Sequence, residues 1–180
     1  MKNFLKIAQI NPFPLLVQLK QREELWGERK ARQFGGSPHE DVDDIWLRFG
    51  PEQGSLFDHI DGLEKVNYPQ WKELSQIRDV VLNLQRSTES TRIGSVLVTK
   101  LAPGMRIASH KDEGKCPLYY ERYQIALQSN PGCVFRIEDE EVQFAAGDVW
   151  WINNKAIHTV VNNSNDDRIA VVVDLRADKC

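Results

Sequence analysis

Three of the 180 residues are cysteine, namely Cys116, Cys133 and Cys180. An odd, scattered set offers no disulfide framework and no CxxC zinc spacing, so free thiols in a reducing compartment are expected. Basic charge is not in excess either. The net charge is −3 and the pI is about 5.8, which excludes a general nucleic-acid binder with a broad basic face. Nowhere does an apolar run approach the roughly 18 residues a membrane span requires. The first residues, MKNFLKIAQINPFPLL, lack the long apolar core and small-residue cleavage site of a secretion signal. The expectation is a cytoplasmic protein with no membrane partner. Repeats and low-complexity tracts are also missing. Apolar residues make up 41% and charged residues 27%, enough for one core without disulfides at this length.

The chain changes character near residue 90. Residues 1–90 mix helix and loop and are expected to form an extension that packs on the rest. Pro14 suits the first turn of a helix. Leu15, Leu16, Leu19, Glu23 and Trp26 then recur at helical spacing, and Gly35-Gly36 marks a stop. Asp44–Phe49 (DIWLRF) reads as a short strand, and residues 50–67, rich in Gly, Pro and Asp, as a loop. Tyr68–Gln85 predicts a second helix, with Trp71, Leu74, Ile77, Val81 and Leu84 on one stripe. Residues 91–180 read as strand and turn throughout. Strands are predicted at Ser95–Leu101, Tyr123–Leu127, Cys133–Ile137, Glu141–Phe144, Val149–Ile152, His158–Val161 and Arg168–Leu175. Even spacing with turn signals between them points to a β-rich sandwich or small barrel, with helices packed outside.

Within this strand-rich half, His110-Lys111-Asp112 is an HxD pair. In extended backbone, residues i and i+2 point the same way, so both side chains can reach one ion. His158 opens another predicted strand 48 residues on. Two imidazoles and a carboxylate on one face are the facial triad of non-haem Fe(II) oxygenases, which leaves three coordination positions open. A second HxD, His59-Ile60-Asp61, lies in the Gly/Pro-rich loop with no partner His or Arg at useful spacing. His59 and His39 are therefore read as ordinary exposed or capping histidines.

Arg168 follows His158 by ten residues, across the strong turn Asn162-Asn163-Ser164-Asn165-Asp166-Asp167. The strand it begins is expected to return beside the strand of His158. Its planar fork can then bind the far carboxylate of a five-carbon dicarboxylate chelated at the metal, which a lysine cannot copy. The plain alternative is a surface arginine paired with Asp166 or Asp167.

Here the chain resembles the aspartyl/asparaginyl β-hydroxylase family of 2-oxoglutarate oxygenases. The segments that carry the resemblance are LVTKLAPG (97–104), HKD (110–112), ERYQIAL (121–127), GDVWWINNKAIHTVVNNS (147–164) and DRIAVVVDL (167–175). They span Gly94–Leu175, with the last two the most specific. The resemblance implies a double-stranded β-helix, a jelly-roll or cupin-like core. It implies Fe(II) held by His110, Asp112 and His158, and the distal carboxylate of 2-oxoglutarate held by Arg168. It further implies that Thr99, eleven positions before His110, assists with the cosubstrate, and that Arg122 lies beside a cosubstrate or substrate carboxylate. The histidine that some peptide hydroxylases carry two positions after that arginine is Gln124 here, and Lys111–Glu121 is longer than in the family.

The implied activity is hydroxylation of an amino-acid-type substrate with Fe(II), 2-oxoglutarate and O₂. The substrate would be an Asp- or Asn-like residue in a peptide, or a free amino acid such as proline. The competing reading is a non-redox cupin-like metal protein, an isomerase, hydrolase or binder, since two His and one Asp also suit zinc. Arg168 discriminates, because such a protein needs no dicarboxylate anchor. Trp150, Trp151 and Phe144 are expected to be core, and Gly147-Asp148 a turn before a strand.

Overall fold

The computed structural model describes residues 1–52 and 60–177. Eleven strands among the described residues form two antiparallel sheets. They are β1 (Phe4–Gln9), β2 (Val42–Phe49), β3 (Val66–Asn67), β4 (Arg92–Leu101), β5 (Arg106–His110), β6 (Glu121–Gln128), β7 (Cys133–Ile137), β8 (Glu140–Val142), β9 (Asp148–Ile152), β10 (His158–Asn162) and β11 (Arg168–Arg176). The larger sheet runs β1-β9-β6-β11-β4-β2-β3 and the smaller β5-β10-β7-β8. Two facing sheets of this kind are the jelly-roll core that the resemblance implies.

Strand alternation explains which residues face where. In β11, Arg168, Ala170, Val172 and Asp174 share one face, and Ile169, Val171, Val173 and Leu175 the other. The second set joins Val96 and Val98 of β4 and Ile125 and Leu127 of β6 in one buried cluster. Helix α1 (Phe13–Lys20) and helix α3 (Ser75–Ser87) cover that outer face with Leu15, Leu19, Ile77, Val81 and Leu84. Both faces of the sheet are therefore buried, which is why these strands read as apolar runs rather than clean alternation. Between the sheets, Phe4, Phe135, Phe144, Trp150 and Ile152 form a second cluster. Trp150 stacks on Phe144 at 5.1 Å between ring centroids. These two rings are core, as expected, whereas Trp151 is half-buried on the opposite face of β9.

Several expectations need correction. The first helix ends at Lys20, and a single 3₁₀ turn, Glu23–Leu25, replaces its continuation toward Gly35. The second is divided: α2 (Gln70–Glu73) and α3 are separated by Leu74, whose backbone (φ −92°, ψ 58°) is not helical. Three strands carry too weak a pattern to be predicted, among them the two-residue β3 inside the segment expected to be a loop. In β1 Phe4 is the one buried residue, and β5 buries Ile107 alone. A short helix, α4 (Lys115–Tyr119), interrupts the strand-rich half. Residues 1–90 also supply β1, β2 and β3 to the larger sheet.

The main correction concerns β10 and β11. They do not pair. β10 lies between β5 and β7, and β11 between β4 and β6. The turn between them crosses from one sheet to the other. Asn162 fixes that crossing, its side-chain amide donating to the carbonyls of Leu101 and Asp166, both at 2.8 Å.

Candidate metal centre and its cavity

His110 ends β5 and His158 begins β10, and the two are direct cross-strand partners. Their rings lie 4.3 Å apart between centroids. Each Nδ1 faces the carbonyl two residues earlier in the chain, Ala108 for His110 at 2.8 Å and Ala156 for His158 at 3.0 Å. Those carbonyls take the Nδ1 proton and leave each Nε2 lone pair turned inward. Asp112 follows β5 in extended chain, held by its backbone N–H to the Asn154 carbonyl at 3.1 Å. Its Oδ1 lies 3.4 Å from His110 Nε2 and 4.0 Å from His158 Nε2. One ligand atom from each of the three residues falls within 4.8 Å of the others. His110 Nε2 is buried without a hydrogen-bond partner. Two inward imidazole lone pairs and one carboxylate oxygen fit a divalent iron.

The other carboxylate oxygen of Asp112 is fixed from behind. Oδ2 accepts from Asn154 Nδ2 at 2.8 Å and from Arg122 Nη1. Arg122 in turn forks onto Asp174, Nε to Oδ1 at 2.8 Å and Nη2 to Oδ2 at 3.1 Å. Burial alone would raise the Asp112 pKa. The Arg122 guanidinium and the hydrogen bonds around it overcome that and hold it well below the usual carboxylate range. Burial likewise opposes charge on Arg122, and Asp112 and Asp174 outweigh it. His158 is pulled the other way. Burial lowers its pKa to about 4 despite the nearby Asp112. The imidazole is thus neutral and ready to ligate near neutral pH.

A cavity of about 270 Å³ opens in front of the triad, between the two sheets. Arg168 lines it from the larger sheet, facing the triad on the smaller. Its side chain is 3% exposed, which removes the surface-pair alternative. Nη2 donates to Gln124 Oε1 at 2.8 Å, and no carboxylate among the described residues pairs with it. Burial draws its pKa down to about 10. Thr99 also lines the cavity, its hydroxyl donating to the Ala170 carbonyl at 3.3 Å. Arg122 borders the same space with three of its nitrogens already engaged, which leaves two of five N–H donors for a ligand.

The structure adds residues that the sequence reading passed over. Asn154 and Asp174 orient Asp112 directly and through Arg122; an acid inside the apolar run of β11 is the signal that could have marked Asp174. His39 is neither exposed nor a cap. Its ring packs edge-on against His110 at 4.9 Å between centroids, because the Pro38 carbonyl accepts the Ala108 N–H at 3.0 Å and aligns residues 37–40 with β5. Burial first, then Arg32 and His110, hold its pKa well below the ordinary histidine value. Asp61 of the second HxD reaches the cavity too, while His59 lies outside the described residues. Asp148 instead bonds the Ala145 N–H at 3.1 Å and the Trp150 indole at 3.3 Å and stands in an ion pair with Lys6, a structural role.

The aspartyl/asparaginyl beta-hydroxylase family model matches residues 37–178. Among solved structures, a Pseudomonas putida prolyl-4-hydroxylase aligns with a TM-score of 0.57 at 14% identity, covering 98% of this chain and 94% of that one. A 2OG-Fe(II) oxygenase family oxidoreductase from Burkholderia pseudomallei gives 0.56 at 14% identity, over 75% of this chain and 66% of that one. The viral collagen prolyl hydroxylase of Paramecium Bursaria Chlorella virus-1, in complex with 2OG, gives 0.55 at 13% identity, over 98% and 97%. At these identities the likeness establishes a shared fold. No curated protein matches the chain significantly.

Proposed function

The chain belongs to the aspartyl/asparaginyl β-hydroxylase family and is a 2-oxoglutarate-dependent hydroxylase; from that premise we propose that it hydroxylates an amino-acid-type substrate held between the two sheets. That substrate is an Asp- or Asn-like residue in a peptide or a free amino acid such as proline. The observation that carries the reading is the buried Arg168 guanidinium, without a carboxylate partner among the described residues, lining one cavity with His110, Asp112 and His158. A buried cation is costly unless a partner neutralises it. A dicarboxylate reaching from the triad to Arg168 supplies that partner, and a non-redox metal protein has no use for it.

In this reading His110 and His158 give Nε2, and Asp112 gives Oδ1, to Fe(II). With O₂ and 2-oxoglutarate, the bound iron supplies the oxidation that sets a hydroxyl on an unactivated carbon, with succinate and CO₂ as co-products. The protein's own part is orientation. Gln124 anchors Arg168 through one Nη2 donor, and Thr99 lines the same cavity. Arg122 and Asn154 keep Asp112 Oδ2 occupied, so that Oδ1 alone faces the metal. The cavity volume is close to the lower limit for ligand pockets, roughly 300 Å³, which favours two small molecules over an extended one. No helix among the described residues is long and apolar enough to cross a membrane.

The test is succinate formation from 2-oxoglutarate under air, with Fe(II) and ascorbate, beside binding of 2-oxoglutarate to the Mn(II)-loaded protein. Asp112→Ala is expected to abolish turnover, and Arg168→Ala to weaken 2-oxoglutarate binding. Absence of binding to the metal-loaded wild type would overturn the oxygenase reading.

A further inference from the structure

The charged groups that line the cavity can be paired one by one. Asp112 and Asp174 share Arg122. Arg32 holds Asp44 at 3.1 Å, and Lys111 holds Glu113 at 2.9 Å. Arg168 is left for the cosubstrate. One further charge remains, the carboxylate of Asp61. It is 5% exposed, lines the cavity, and its Oδ2 is buried without a hydrogen-bond partner among the described residues. Lys65, itself buried, gives its ammonium to the Ile60 carbonyl at 3.1 Å and makes no ion pair with Asp61 among the described residues.

The Asp61 carboxylate is held in place. Oδ1 accepts the Cys116 N–H at 2.9 Å, at the start of α4. Gly114 closes over it with φ +99°, where a β-carbon would collide with both carboxylate oxygens. The segment that clamps Asp61 is thus the one that continues directly from Asp112. Capping α4 engages one oxygen only, and it leaves Oδ2 of this cavity-lining residue without a donor among the described residues. A buried carboxylate oxygen in that condition is complementary to a cationic N–H donor, the strongest class of hydrogen-bond partner it can take.

We propose that Asp61 is the specificity-determining residue for the organic substrate, binding its cationic nitrogen, and that the substrate is therefore a small molecule with a free ammonium or secondary ammonium group. The inference rests on the oxygenase reading above and narrows it. An amide nitrogen within a peptide carries no charge and satisfies Oδ2 poorly. A free amino or imino acid satisfies it fully.

The experiment uses full-length protein loaded with Mn(II) and 2-oxoglutarate without O₂. Binding of L-proline, L-aspartate and L-asparagine is measured by calorimetry beside their N-acetyl forms, in wild type and in Asp61→Asn. Asparagine keeps the acceptor for Cys116 and the shape, and loses the charge. Wild type is expected to bind at least one free amino acid roughly tenfold or more tightly than its N-acetyl form. In Asp61→Asn that preference collapses, while 2-oxoglutarate affinity stays unchanged and the melting temperature does not fall. The same preference in Asp61→Asn, no preference in wild type, or no binding of any free amino acid would each overturn the assignment. Failure of 2-oxoglutarate to bind before any amine is added would instead overturn the reading beneath it.

Discussion

Arg122 reaches Asp112 through Oδ2, while the histidine-facing oxygen is Oδ1. Oδ2 takes the Nη1 donor and the Asn154 amide, and Oδ1 is thereby turned toward the two histidines. Partners of this kind commonly contribute tenfold to hundredfold in metal affinity. Arg122→Gln is expected to weaken Fe(II) binding by roughly 10–100-fold, read by competition with a metal indicator. Asp174→Asn, which disturbs the fork but not the ligand, should give a smaller loss in the same direction. Unchanged metal affinity in Arg122→Gln would show that Asn154 suffices to hold Asp112.

Arg168 is a buried fork aimed across the cavity. Truncating one member of a buried charge pair costs about 2–5 kcal/mol, or at least thirtyfold. Arg168→Ala should therefore raise the 2-oxoglutarate KM by that factor or more. Lysine restores the charge but not the two-pronged geometry. Arg168→Lys is accordingly expected to recover only part of the loss, and full recovery would mean that charge alone is read.

His158 gives the metal-free protein a pH dependence of known sign. Its pKa falls from 6.5 to about 4 on burial, so below pH 6.5 the unfolded chain binds a proton that the folded chain refuses. Stability is full above about pH 6.5 and declines as pH falls toward 4, by at most roughly 3 kcal/mol from this group. Depression of the Asp112 pKa acts in the same direction at lower pH. Melting temperatures of the apo-protein from pH 7 to pH 4 test this, and His158→Gln should flatten the slope. A slope unaltered in that variant would assign the effect elsewhere.

Gly114 allows the chain to close over Asp61. Its φ of +99° and ψ of −159° lie in a region kept almost entirely for glycine, with a strain of about 1–3 kcal/mol for other residues. Collision with the Asp61 carboxylate adds to that. Gly114→Ala should lower the melting temperature more than Gly104→Ala, where φ is +77° but open space surrounds the new β-carbon. Equal effects at both positions would mean that the contact with Asp61 is not tight.

The sequence made legible what is encoded locally. HxD is a two-residue spacing in extended chain, and His158 with Arg168 frames one strong turn, so the His110–Asp112–His158 cluster and the arginine that shares its cavity could be singled out without coordinates. The strands of the second half were readable for the same reason, through alternation and turn residues. What stayed hidden is relational. Nothing in NNSNDD says whether the chain turns back along its own sheet or crosses to the other, and that choice places Arg168 on the sheet opposite His110 and His158 instead of beside them. His39 sits in a turn and Asp61 in helical backbone, and neither segment carries a readable period. Their partners, His110 and Cys116, lie 71 and 55 residues away in the chain. β1 escaped notice because an edge strand with one inward residue carries almost no amphipathic signal.

The crossing at Asn162 has a mechanical consequence. His110 and His158 belong to one sheet and Arg168 to the other, so a molecule that touches all three acts as a rivet through both layers. Each ligand that binds only this assembled state adds to its stability in proportion to RT ln(1 + [L]/Kd). Amide exchange in β5 and β10 should therefore slow together with exchange in β11 when metal and 2-oxoglutarate are both present. Metal alone should protect the smaller sheet and leave the breathing between the layers largely as it was.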